Sequence, residues 1–114
     1  MSVRVCVFGG RDYNDYERVS NVLDKITRFD SIVCGEARGA DSLGRRYAEE
    51  HNIQIDSFPA EWDKHGKRAG YIRNRDMANS CDLAIGFWDG KSRGTGNMIG
   101  LCDLLDVPTF IFRY

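Results

Sequence analysis

Prolines number only two, histidines two and cysteines four in 114 residues, and each scarcity closes off a class of protein. Two prolines leave no Pro-rich linker or stalk. Cys6, Cys34, Cys81 and Cys102 lie far apart with no Cys-x-x-Cys pair, and only His51 and His65 could assist them. That pattern supports neither a zinc site nor a disulfide frame, so the thiols are expected as small, reduced core residues. No run approaches the ~20 apolar residues that a membrane helix needs. The first apolar run, Val3 to Phe8, contains Arg4 and ends in Gly9-Gly10, which does not read as a signal peptide. Excess charge is missing too, since 16 basic and 17 acidic side chains leave a net −1. A basic surface that coats duplex nucleic acid is therefore disfavoured, whereas a small basic site for one anionic ligand is not. The expectation is a cytoplasmic protein with no membrane association and with DNA an unlikely partner.

What is present is a 42% hydrophobic, 29% charged chain, the composition of a single globular domain spanning residues 1–114. Val3 to Phe8 is a β-branched run that reads as a strand. Tyr16, Val19, Leu23 and Ile26 recur at helical spacing, with Asn14 and Glu17 as a capping box. Ser31 to Cys34 predicts a short buried strand, and a helix follows over 41–51 with Asn52 as its stop. Ile53 to Phe58 alternates as a strand near an edge should. A helix over 68–80, a strand over 82–87, a helix over 95–105 and a strand over 108–112 complete the alternation. Strands alternating with helices predict a three-layer α/β/α Rossmann-like sandwich around a five-stranded, mainly parallel sheet.

The unusual residues gather in the loops that leave the carboxyl ends of the first four strands, where open parallel sheets bind ligands. Gly9 and Gly10 let backbone approach a ligand closely, with Arg11 and Asp12 beside them. No G-x-G-x-x-G turn is present, and Asp30 is no ribose acid, so ordinary dinucleotide binding has weak support. Gly35, Gly39 and Ala40 leave room for a phosphate nest in which Arg38 supplies a bidentate donor. Asp41 reads either as the following helix's N-cap or as a ligand contact. Lys67 belongs to a basic run from Lys64 to Arg75. Arg73 shares a helix face with Ala69 and Met77 and so points at the sheet. There it needs a ligand phosphate or an internal carboxylate, Asp41 or Asp89. Ser92, Gly94 and Thr95 lead into the next helix, with Thr95 as N-cap and the amides of Gly96, Asn97 and Met98 as an anion seat. Trp62 and Trp88 offer flat faces for a base, or simply pack at the loop bases.

Gly9-Gly-Arg-Asp-Tyr13, Ala37-Arg-Gly-Ala-Asp41, Ala69-Gly-Tyr-Ile-Arg-Asn74 with Met77, Phe87-Trp-Asp-Gly90 and Gly94-Thr95 occur in that order. Together they resemble the YspA branch of the SLOG superfamily, which joins the DNA-processing protein DprA to the LOG phosphoribohydrolases. The resemblance implies a Rossmann-like fold and a nucleotide or nucleotide-derived ligand at the strand carboxyl ends, with Asn74, Asp89 and Asn97 added to the candidate contacts. It also implies a sensor or processor of such ligands in phage and prokaryotic conflict. In LOG enzymes an arginine and the glutamate of a Gly-Gly-x-Gly-Thr-x-x-Glu loop cleave an N-glycosidic bond. Arg73 matches that arginine and is, with Asp41, the catalytic candidate if the chain is an enzyme. The glutamate position falls on Met98, whose thioether neither moves a proton nor stabilises an oxocarbenium-like centre. Sensing or sequestering of the ligand therefore ranks ahead of hydrolysis of its glycosidic or phosphate bond. Single-stranded DNA binding in the manner of DprA ranks last. No cofactor or metal is implied, and a homodimer is implied by analogy.

Overall fold

The computed structural model describes residues 2–114. In chain order the elements are β1 (Arg4–Gly9), α1 (Tyr16–Asp24), β2 (Ser31–Cys34), α2 (Ala40–Glu50) and β3 (Gln54–Ser57). There follow α3 (Trp62–His65), a 3-10 turn (Gly66–Arg68), α4 (Ala69–Ser80), β4 (Leu83–Trp88), α5 (Arg93–Leu104) and β5 (Thr109–Arg113). The strands form one sheet in the order β3-β2-β1-β4-β5, and every neighbouring pair is parallel. This is the expected α/β architecture, and β3 takes the edge its alternating sequence called for.

Strand periodicity divides the core in two. Val5 and Val7 of β1 join Ile32, Ile85 and Phe87 beneath α1 and α2, against Val19, Leu23, Tyr47 and Ala48. Their neighbours Cys6 and Phe8 point to the opposite face, with Val33 and Ala84, against Met77 and Ala78 of α4 and Met98 and Cys102 of α5. All four cysteines are free and buried, as small core residues. Among the described residues no helix is long and apolar enough to cross a membrane.

Three helix starts differ from the sequence expectation, each for a local reason. Asp15, not Asn14, caps α1, its carboxylate accepting from the Arg18 backbone N–H at 3.1 Å. Gly39 occupies the cap position of α2, which puts Asp41 inside the first turn. Ser92 occupies the cap position of α5, so Thr95 is likewise a first-turn residue, and buried. The short helix α3 was not foreseen at all; no residue in it is buried, so no apolar period marks it. Asn52 does end the α2 region in a left-handed conformation, φ 54°.

Gly39 also locks two loops together. Its φ is +77°, and a Cβ placed there would run into the Gly10 carbonyl oxygen and the Arg11 backbone. The Ala40 N–H donates to that same Gly10 carbonyl at 3.2 Å. Gly39→Val should therefore act on the fold itself, with backbone strain alone costing about 1–3 kcal/mol. A melting temperature roughly 5–15 °C below wild type is expected by circular dichroism. An unchanged melt would show that the two loops do not touch.

Candidate functional site

The helix after β1 covers one face of the sheet and the helix after β4 covers the other, although the two strands are neighbours. The strand order thus reverses between them, the point at which doubly wound sheets open a crevice outside the carboxyl ends. A cleft of about 360 Å³ lies there, large enough for a small organic ligand. Its floor is apolar, made by Phe8, Met77 and Met98. Gly9, Gly10, Arg11 and Asp12 form one wall, and Asp89, Ser92, Gly94 and Thr95 form another. Asp41, Arg73 and Asn74 close the third side.

Arg73 organises that third side. Its Nη1 donates to the Gly35 carbonyl, and its Nε donates to Asn74 Oδ1 at 3.2 Å. Among the described residues the ion pairs join Arg4 to Asp56, Arg45 to Glu36 and Arg46 to Glu50; none involves Arg73. Of the two partners expected for the half-buried guanidinium, the internal carboxylate, Asp41 or Asp89, is therefore not in contact with it. Its remaining N–H donors stay available to the crevice.

Asn74 is buried, and its amide is spent on structure. The Nδ2 donates to the Gly94 carbonyl and to Asn97 Oδ1, both at 3.1 Å, which fastens α4 to the start of α5. Asn97 meets Asn74 and is not among the residues that line the crevice. Asp89 Oδ1 accepts from the backbone N–H groups of Lys91 and Ser92 at 2.8 Å each, and these bonds lower its pKa. The Gly96 N–H already donates to the Ser92 carbonyl at 3.0 Å. The first-turn amides of α5 are therefore those of Arg93, Gly94 and Thr95, not the expected Gly96, Asn97 and Met98.

Asp41 is only 4% exposed, and its Oδ2 accepts from the Gly35 N–H at 3.1 Å. Burial pushes its carboxyl up to about 6, while the nearby charge of Arg73 and the amides of Gly35 and Ala37 pull back against that rise. Gly35 is thus held on both sides, by Asp41 at its N–H and by Arg73 at its carbonyl. A Cβ at Gly35 would collide with both side chains, which is why the residue there is glycine.

Other expected residues fall outside this crevice. Gly39 and Ala40 line no cleft: the space beside Gly39 is filled by the Gly10 and Arg11 backbone, and Ala40 is buried against Gly9. The phosphate nest expected of those two small residues is therefore not formed. Lys67 is exposed in the 3-10 turn and lines none of the clefts. Trp88 packs at its loop base, its Nε1 donating to the Ser92 carbonyl at 3.1 Å with Arg113 stacked over the ring. Gly35, Arg38 and Trp62 instead border a second, adjoining cleft. Sequence reasoning missed Phe8, Met77 and Met98 as floor and Ala37 as wall. For Phe8 the signal was available, because it alternates with the core residue Val7 and directly precedes the glycine pair.

The raised carboxyl of Asp41 sets the sign of one prediction. A carboxyl whose folded pKa lies above its ordinary value of 3.8 adds stability below about pH 4, and that stability is lost as pH rises through about 6. Asp41→Asn keeps an acceptor for Gly35 and removes the titration. Relative to wild type, the variant should gain stability between pH 4 and pH 7, on the order of 3 kcal/mol. Urea unfolding at both pH values measures the difference. A wild-type-minus-variant difference that does not change with pH would show that Asp41 ionises freely.

Comparison with known proteins gives three findings. Residues 3–65, more than half of the chain, match the YspA, cpYpsA-related SLOG family (YAcAr). Gene 61 protein of Mycobacterium phage D29 is 32% identical over 119 residues, covering 96% of this chain and 95% of that one. The crystal structure of DNA processing protein A (DprA) from Streptococcus pneumoniae superposes on 97% of this chain with a TM-score of 0.79 at 17% identity. This chain spans 50% of that DprA chain, and the likeness is one of fold.

Proposed function

Because the chain belongs to the YspA, cpYpsA-related SLOG family, we propose that it binds a nucleotide or nucleotide-derived ligand in the crevice between β1 and β4. One observation carries this reading above the others. Arg73 is half-buried, fixed by the Gly35 carbonyl and Asn74, and has no carboxylate partner among the described residues. A guanidinium in that position is completed by a phosphate. The first amides of α5 add a second anion-binding element across the crevice. The apolar floor of Phe8, Met77 and Met98 suits the face of a base or sugar, and Asp12 and Asp89 at the rim can accept from hydroxyl groups.

The ligand is held rather than cleaved in this reading, as a sensor or a sequestering protein does. Met98 is buried in the floor, so no carboxylate stands where the LOG enzymes use one. Turnover keeps one feature in its favour, the buried Asp41 at the crevice wall, whose carboxyl burial pushes up to about 6, a range suited to a general acid. A role in phage or prokaryotic conflict belongs to the same proposal, and the relative from a mycobacteriophage supports it.

Incubation with a panel of nucleoside mono-, di- and triphosphates, followed by calorimetry and mass spectrometry, tests both readings. A ligand recovered unchanged supports binding, and a new product supports hydrolysis. In Arg73→Ala the loss of a charge-assisted contact, worth about 1.5–3 kcal/mol, should weaken binding by roughly tenfold to a hundredfold. The unliganded melting temperature should also fall, by roughly 5 °C, because the Gly35 carbonyl and Asn74 Oδ1 each lose a donor. A large drop in unliganded stability with unchanged affinity would make Arg73 a purely structural residue.

A further inference from the structure

The second cleft, of about 320 Å³, adjoins the crevice, and Arg11, Ala37 and Arg73 line both. Its lining is chemically mixed. Arg11, Arg38 and Arg73 all line it, and among the described residues none is in an ion pair. The carboxylate nearby, Glu36, is drawn away to Arg45 at 3.4 Å. Pro59, Ala60 and Trp62 line it as well, and Trp62 is 53% exposed. A lining that combines unpaired guanidiniums with an exposed indole suits a phosphate attached to a planar ring.

Each cleft is near the lower end of the ~300–1,000 Å³ range for small-molecule sites, the scale of one nucleotide rather than two. Joined across Arg11 and Arg73, they form one trough with an aromatic-compatible surface at either end and cations in the middle. We infer that the ligand is two-headed: two nucleoside units linked through phosphates. One unit lies over Met77 and Met98, the other lies against Trp62, and the linking phosphates lie at Arg11 and Arg73. This rests on the nucleotide reading of the crevice given above. Such a ligand needs no G-x-G-x-x-G turn, because guanidinium side chains meet its phosphates.

Calorimetric titration of the full chain with AMP, ATP, NAD⁺ and diadenosine diphosphate tests the inference, repeated on the double variant Arg38→Ala with Trp62→Ala. Both substitutions are at exposed positions, and a melt of the unliganded variant checks its fold. A two-headed probe should bind about tenfold or more tighter than either AMP or ATP, as expected when a second half adds its own contacts. In the double variant that ratio should fall toward one. Equal affinity for AMP and the two-headed probes, or an advantage that survives the double variant, overturns the second subsite and leaves the crevice reading intact. ATP matching the two-headed probes also overturns it, since the arginines then serve phosphates alone. Silence from every probe, AMP included, overturns the crevice reading itself.

Discussion

A single run of hydrogen bonds ties the rim of the sheet together: Asp41 to the Gly35 N–H, the Gly35 carbonyl to Arg73, Arg73 to Asn74, and Asn74 to Gly94 and Asn97. It crosses from α2 through the loop after β2 to α4 and on to α5, elements that lie on both faces of the sheet. Its side chains, those of Asp41, Arg73, Asn74 and Asn97, are buried or half-buried, so their bonds act in a medium of lower dielectric than water. The crevice owes its shape to this run, because it spaces the two helix pairs across the gap between β1 and β4. Arg73 is the member that faces outward from it. A side chain that holds the scaffold with two donors and keeps others free is both frame and contact.

Burial of Asp41 is the less usual half of that arrangement. A carboxylate withdrawn from water is ordinarily neutralised by a touching cation. Here the positive charge of Arg73 acts at a distance while amides make the contacts, and the raised pKa records the shortfall. The site therefore combines an under-compensated acid with a cation that lacks a partner, on opposite sides of one glycine. Ion pairing between them would satisfy both and leave nothing for a ligand.

The architecture was legible from the sequence because its signals are periodic. Alternation in β1, the helical spacing of Tyr16 to Ile26, and glycines at strand ends all report local geometry directly. Arg73 was legible for the same reason, as its spacing from Ala69 and Met77 put it on an inward face. What stayed hidden depends on contacts between segments distant in sequence. Small residues at 39 and 40 look the same whether they leave room for phosphate or for the Gly10 backbone, and only the folded chain decides. Nothing local distinguishes an Asn74 that waits for a ligand from one already bonded to Asn97. Helix starts shifted by a few residues because Asp15, Gly39 and Ser92 compete with equally plausible neighbours, and a cap is chosen by the loop that precedes it.

The Gly39 lock has an evolutionary side. Because the loops after β1 and β2 meet backbone to backbone, neither can change length or gain bulk at that point without displacing the other. The stretch from Pro59 to Arg68 is under no such constraint, since α3 and the turn after it bury nothing. Chains built on this frame can therefore exchange that stretch, with its tryptophan, while the rest of the rim stays as it is. Divergence at the second cleft thus has a place to occur that is separate from the bonded run through Gly35, Arg73 and Asn74.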